Sequence, residues 1–331
     1  MDDRFQALEA WLRKELGGAH FRLEPASADA SFRRYFRVTT PAGTSIAMDA
    51  PPEREDTRPF VKVAGLLRDA GLNAPRVLAE SPAQGFLLLS DLGTRSYLEA
   101  LRGQEPGPLF ADARAALVRW QVASRGGVLP EYDEALLRRE LALFPEWYLR
   151  RHLDVELSPP LRESLELAFG TIVARNLAEG RVYVHRDFMP RNLMVCEPNP
   201  GILDFQDAVM GPVSYDIASL YRDAFISWDE EMVLDGTIRY WEKARAASLP
   251  VPADFADFWR DVEWMGLQRH LKVLGIFARL SYRDGKPAYL EDAPRFVGYV
   301  RHTVERYGEL APLARVLDQA QGRRAEARYT F

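Results

Sequence analysis

Apolar residues at helical spacing open the chain: Phe5, Leu8, Leu12 and Leu16 share one face, and Gly17-Gly18 stops the run, which predicts a packing helix. Short extended segments follow at 21–23, 34–39 and 45–48, the last two joined by a Pro41-Ala42-Gly43 turn. A helix is predicted over 57–70 with Gly71 as its stop, then strands over 76–80 and 85–90. Beyond residue 90 the pattern turns helical. Ala113, Ala116, Leu117 and Trp120 line one face, 136–153 reads as a second helical stretch, and Pro159-Pro160 precedes a helix over 161–177 that Gly180 ends. More helices follow residue 216, including 264–280, and the chain closes on a polar Arg-rich tail. A strand-rich first part and a helical remainder predict an α+β fold.

One stretch between these elements is not explained by packing. Tyr183-Val184-His185-Arg186-Asp187-Phe188-Met189-Pro190-Arg191-Asn192 is followed by Leu203-Asp204-Phe205, so that the order reads H-R-D-x-x-x-x-N and then D-F. This is the spacing of the catalytic loop and metal-binding segment of kinases. Phosphoryl transfer needs one carboxylate beside the attacking hydroxyl and oxygen ligands that hold Mg²⁺ against the nucleotide's phosphates. Asp187 suits the first task, Asn192 and Asp204 the second. Cys196-Glu197-Pro198-Asn199-Pro200-Gly201 has the turn chemistry to reverse the chain between two apolar runs, so a hairpin is expected to bring Asn192 and Asp204 together. Any one of these residues alone reads as a solvated loop position; three in order do not.

Composition narrows the class. With 331 residues and 47% hydrophobic content the chain can bury a sizeable core, and a formal charge of -5 with Arg interspersed among Asp and Glu argues against a nucleic-acid partner. Cys196 is the only cysteine, so no intrachain disulfide forms and a reducing, cytoplasmic setting is expected. No run spans a bilayer, the acidic N-terminus is unlike a signal peptide, and the five histidines lack zinc-site spacing. Neither a membrane partner nor a structural metal is expected, and the protein is read as a monomer.

The strand-rich start, Leu88-Leu89-Ser90-Asp91-Leu92-Gly93, the 185–192 motif, Asp204-Phe205 and Gly211-Pro212-x-x-x-Asp216 together resemble the aminoglycoside phosphotransferase/choline kinase superfamily. Met48-Asp49-Ala50-Pro51-Pro52, Leu137-Arg138-Arg139-Glu140-Leu141, Phe144-Pro145-x-Trp147-Tyr148 and Arg222-Asp223-Ala224-Phe225 add a closer likeness. They are similar to the kinases that phosphorylate the anomeric hydroxyl of N-acetylmuramic acid or N-acetylglucosamine in bacterial cell-wall recycling. The resemblance implies a bilobal protein-kinase-like fold: a nucleotide-binding lobe over 1–90, a hinge over 91–95 and a helical lobe over 96–331. It implies ATP and Mg²⁺, with Asp187 as base, Asn192 and Asp204 on the metal, Asp216 bracing the catalytic loop, and the backbone at Leu89, Ser90 and Asp91 meeting the adenine edge. Ser31, in the small-residue segment 26–32, is placed over the phosphates. Arg222, Asp223, Arg269 and Lys272 are the acceptor-side candidates, one cation facing a lactyl carboxylate.

Two departures accompany the resemblance. The third strand, Ile46-Ala47-Met48-Asp49, lacks the kinase lysine, and Met189 stands where a second lysine is frequent. Arg33, Arg34 and Arg191 are the candidate substitutes. Asp49 either forms a reversed ion pair with Lys62 or Arg58 of the following helix, or simply opens the Pro51-Pro52 loop. Asp229-Glu230-Glu231 admits two readings as well: an acidic acceptor site for an aminoglycoside or other small-alcohol kinase, or a helix start capped by Ser227 and Glu230. The missing lysine also keeps open a nucleotide-binding pseudokinase with a regulatory role.

Overall fold

The computed structural model describes residues 3–27 and 32–322. In chain order these form α1 (Asp3–Glu15), β1 (Arg22–Ser27), β2 (Arg34–Thr40), β3 (Gly43–Asp49), α2 (Arg58–Asp69), β4 (Val77–Ser81), β5 (Phe86–Ser90), α3 (Tyr97–Ala100) and α4 (Pro106–Val122). Next come α5 (Glu134–Leu141), a π-helical segment (Phe144–His152), α6 (Pro159–Leu177), β6 (Arg181–Val184), β7 (Leu193–Met194), β8 (Gly201–Ile202) and β9 (Val209–Pro212). The chain continues through α7 (Tyr215–Tyr221), α8 (Glu230–Ala246), α9 (Phe255–Asp284), α10 (Ala293–Arg306) and α11 (Ala311–Ala320). Two compact units result: 1–120 with 190–208, and 121–189 with 209–331. In this grouping α3 and the β7–β8 hairpin fall in the unit that holds the sheet, where Ser96 bridges Met194 and Asn73 bridges Gly201.

The sheet unit is an antiparallel sheet of order β1-β2-β3-β5-β4. Alternation along its strands divides its two faces. Val38 and Ala47 pack with Phe86 and Leu88 against Leu8, Trp11 and Leu12 of α1, while Tyr35, Arg37 and Ile46 point to the other side and line a cavity. Two residues, Pro41-Ala42, link β2 to β3, and that short turn sets a register in which Arg34 lies directly opposite Asp49.

The helical unit is built on α9, thirty residues long and buried along most of its length. The helical stretch over 136–153 is in fact two elements. Pro145 has no N–H to give to a continuing α-helix, and the chain passes from α5 into the π-helical segment with this proline in its first turn. That segment lies so close to α9 that a Cβ on Gly275 would stand 2.4 Å from the Leu143 carbonyl carbon, so only glycine fits there. The start of α8 also differs in detail from the expected box: Asp229 is the cap, accepting from the Met232 N–H at 2.8 Å, while the Ser227 hydroxyl meets that of Tyr299 at 3.0 Å. Among the described residues no helix is long and apolar enough to cross a membrane.

Candidate active site

In the helical unit, β6 delivers His185-Arg186-Asp187 at its C-terminal end. Arg186 adopts a positive φ of 75°, a conformation that side-chain-bearing residues hold only under constraint. Asp216, at the start of α7, supplies the constraint. Its two carboxylate oxygens accept from the His185 N–H at 2.7 Å and the Arg186 N–H at 3.0 Å. Asp216 is wholly buried, and burial, only partly offset by those two amides, pushes its pKa up to about 7. The Asp187 N–H donates to His185 Nδ1 at 3.2 Å, and the Met189 N–H to the Asp187 carbonyl at 3.0 Å, so both backbone groups of Asp187 are fixed within the turn.

In the sheet unit, the β7–β8 hairpin brings Asn192 and Asp204 together. The Leu203 N–H donates to the Asn192 carbonyl at 2.9 Å, Asn192 Nδ2 lies 3.4 Å from Asp204 Oδ2, and Gln206 Nε2 donates to Asp204 Oδ1 at 2.9 Å. Asp204 also has a positive φ, 61°. Both residues line a cavity of about 310 Å³ together with Arg191, Leu89, Ser90 and Asp91. An amide and a carboxylate offering oxygen alone, with room beside them for water and phosphate, fit Mg²⁺, which takes few protein ligands and prefers oxygen.

The cations divide by strand parity. Arg34 shares a face with Phe36, toward α1, and its guanidinium donates to Asp49 Oδ2 at 2.9 Å and 2.6 Å. Arg4 of α1 holds the other oxygen of this fully buried carboxylate. Asp49 is therefore not paired with Lys62 or Arg58. It shares the α1 side with Ala47, whereas Phe60 of α2 lines the cavity side, and Arg58 pairs with Asp56. Arg34 is committed to Asp49 and does not line the cavity. Arg33 is nearly buried, 3.5 Å from Glu55. Ser31 lies outside the described residues. Arg191 alone of the three arginines is a lining residue.

Arg37 went unnoticed in the sequence. It donates to both oxygens of Asp91 at 2.7 Å and 3.1 Å and to the Gly93 carbonyl at 2.9 Å, clamping the turn that follows β5. Burial raises the Asp91 pKa, but Arg37 and the Gly93 amide more than offset it and hold the carboxyl below its ordinary value. The signal was the alternation itself, which puts Arg37 two positions from Tyr35 on the cavity face.

The acceptor-side residues fall into two groups. Arg269 donates to the Arg222 carbonyl at 3.3 Å and lies 3.6 Å from Met189 Sδ, so the middle of α9 meets the catalytic loop. The Arg222 guanidinium sits 5.3 Å over the Tyr299 ring. Asp223 is buried and caps the following turn, with Oδ1 accepting from the Phe225 and Ile226 amides at 2.6 Å and 3.0 Å. Burial raises its pKa. Lys272 belongs elsewhere: its ammonium is 3.1 Å from Glu140 and 3.3 Å from the Tyr215 hydroxyl. Its ammonium is buried and held by Glu140, which removes it from the candidates for a substrate carboxylate.

A five-stranded antiparallel unit, a helical unit and the ordered Asp187, Asn192 and Asp204 define a phosphotransferase of kinase-like fold. Comparison with known proteins agrees. The model of the phosphotransferase enzyme family (APH) matches residues 22–255, and the chain belongs to this family. An N-acetylmuramate/N-acetylglucosamine kinase of Pseudomonas aeruginosa is 53% identical over 96% of both chains, and one of Neisseria meningitidis serogroup B is 50% identical over 98% of both. Among solved structures, a choline/ethanolamine kinase family protein from Mesorhizobium loti superposes with a TM-score of 0.61 at 16% identity, covering 94% of this chain and 99% of that one. The ADP-bound aminoglycoside phosphotransferase APH(2'')-Ib gives 0.59 at 14%, over 90% and 98%.

Proposed function

We propose that the protein transfers the γ-phosphoryl group of ATP to the anomeric C1 hydroxyl of N-acetylmuramic acid or N-acetylglucosamine, in cell-wall recycling. The observation that carries this reading is the near full-length identity, 53% and 50%, to two kinases named for these sugars. In this reading the protein works as a cytoplasmic monomer. ATP lies in the sheet-unit cavity, with its adenine edge on the backbone at Leu89, Ser90 and Asp91 within a 1–90 nucleotide lobe and a 91–95 hinge. Asn192 and Asp204 hold Mg²⁺, which when bound offsets the charge of the transferring phosphates. Arg191 faces the same phosphates and stands in for the absent lysines. Asp187 orients the sugar hydroxyl and takes its proton. A hemiacetal hydroxyl is more acidic than an ordinary alcohol, so orientation supplies much of the effect and a strong base is not needed. Arg222, Arg269 and Asp223 form the acceptor side, with one arginine near the lactyl carboxylate.

The aminoglycoside alternative loses its acidic cluster: Asp229 caps α8, and Glu230 pairs with Arg306. ADP release from Mg-ATP with N-acetylmuramic acid, N-acetylglucosamine, choline or kanamycin tests the reading, with phosphorus–proton coupling locating the phosphate on C1. Turnover confined to the two amino sugars is expected. Turnover with kanamycin alone, or no ADP with any acceptor, overturns it, the second result favouring a regulator without activity.

A further inference from the structure

Beneath the catalytic turn lies a buried charge cluster that joins Arg186 of the H-R-D sequence to residues outside that motif. Glu140, in the last turn of α5, is 5% exposed, and its Oε1 meets two cations, the Arg186 guanidinium and the Lys272 ammonium at 3.1 Å. Its Oε2 accepts from the Tyr132 hydroxyl. Tyr132 and Tyr215, both wholly buried, wall the cluster edge to face at 5.7 Å. Arg186 lies 5.9 Å from the Tyr132 ring centre, and Lys272 is 5.9 Å from that of Tyr215. One carboxylate thus joins α5, α9 and the catalytic turn, while α7 contributes Tyr215 and its neighbour Asp216.

Arg186 is held at two ends. Asp216 takes its backbone N–H and Glu140 takes its side chain, and between these anchors the residue keeps its positive φ. Asp187 is the next residue. The cluster holds one cation more than it has carboxylates, and the charge of Asp187 acts favourably on both Arg186 and Lys272. Here a glutamate of the fold occupies the arginine of the H-R-D sequence.

We propose that Glu140 is a positioning residue for phosphoryl transfer: by holding Arg186 and Lys272 it keeps the turn that carries Asp187 in its strained, working conformation. The inference rests on Asp187 being the base. Glu140→Gln keeps the shape but leaves two buried cations with no anion, a situation that breaks buried networks. Lys272→Met alone leaves a neutral Arg186–Glu140 pair, and the double variant returns the excess to one cation, as in the native protein.

The test is steady-state kinetics with Mg-ATP and N-acetylmuramic acid on the full chain. Glu140→Gln is expected to lose about a hundredfold in kcat, as small displacements of a reacting group do, with both KM values nearly unchanged. The double variant is expected to recover about tenfold over Glu140→Gln, because charge parity is restored. Native kcat in Glu140→Gln, a loss confined to KM, or a double variant no better than Glu140→Gln overturns the proposal. If Glu140→Gln does not fold, Lys272→Met and the double variant are compared instead: lower kcat at equal KM in the double supports the role, and equal kcat refutes it. Asp187→Asn in the same assay separates the premises, since activity surviving there removes the base assignment whatever Glu140 does.

Discussion

Buried carboxylates in the sheet unit are met by arginines: Asp49 by Arg4 and Arg34, Asp91 by Arg37. In the helical unit Asp216 and Asp223 are met by backbone amides, and Glu179 by the Ser214 N–H. Amides satisfy the oxygens without cancelling the charge. Burial therefore dominates, and the pKa values of Asp216, Asp223 and Glu179 rise, while that of Asp91 falls. Asp49 and Asp91 of the first unit serve as fixed counter-charges; Asp216, Asp223 and Glu179 of the second shape turns, at the cost of sensitivity to pH. Glu140, Asp261 and Glu263 of the helical unit are met by cations instead, and of these three Glu140 is the one whose cation belongs to the catalytic turn.

The largest contrast is catalytic. Asp187→Asn in one unit and Asp204→Asn in the other are each expected to lower kcat about a thousandfold or more, read as ADP release, with the fold intact by circular dichroism. Equal activity in either variant breaks the pairing of a base with a metal ligand. Arg191→Ala is expected to lower kcat by at least about tenfold.

Next comes stability against pH. The folded protein keeps a proton on Asp216 up to about pH 7, whereas the unfolded chain releases it near 3.8. The group's contribution is therefore fully present below the unfolded value and is lost as pH rises from about 4 to 7, at most about 4 kcal/mol. Asp91 has the opposite sign: its contribution is present above the ordinary carboxylate range and is lost as pH falls through its lowered value. Urea unfolding from about pH 3 to 8 checks both signs, with Asp216→Asn expected to flatten the decline above about pH 4. An unchanged slope would remove the contrast between the units.

Asp49→Asn strands two arginines. A loss of about 2 to 3 kcal/mol is expected in urea unfolding, below the cost at a fully buried pair because the arginines are 30% and 37% exposed. Arg37→Ala should raise KM for ATP about fivefold through a looser turn after β5. Arg58→Ala, at an exposed pair, is expected to leave the unfolding midpoint where it is.

Much of this was legible because the turn chemistry is local. The Pro, Asn and Gly between residues 196 and 201 foretold the hairpin that joins Asn192 to Asp204, and the strand limits of the first unit fell within a few residues of the observed ones. Asp49 was legible in principle. With Pro41-Ala42 as the loop, counting outward places Arg34 opposite it, and alternation puts it on the α1 face, but nearness along the chain pointed to Lys62. Glu140 also left a trace: Leu137, Leu141 and Phe144 form a buried stripe, and an acid within that stripe needs cations. Where those cations come from, residues 186 and 272, is a long-range fact that no local pattern carries.

Along α9, Arg269 reaches Met189, Lys272 reaches Glu140 and Gly275 admits Leu143. The three positions are spaced by three and lie along one side of the helix, which makes α9 a ruler with its graduations facing the chemistry. Each added residue turns a helix by about 100°, so a single insertion ahead of Arg269 would misalign all three contacts at once. Point substitutions along this helix can be absorbed one contact at a time; a change in its length cannot.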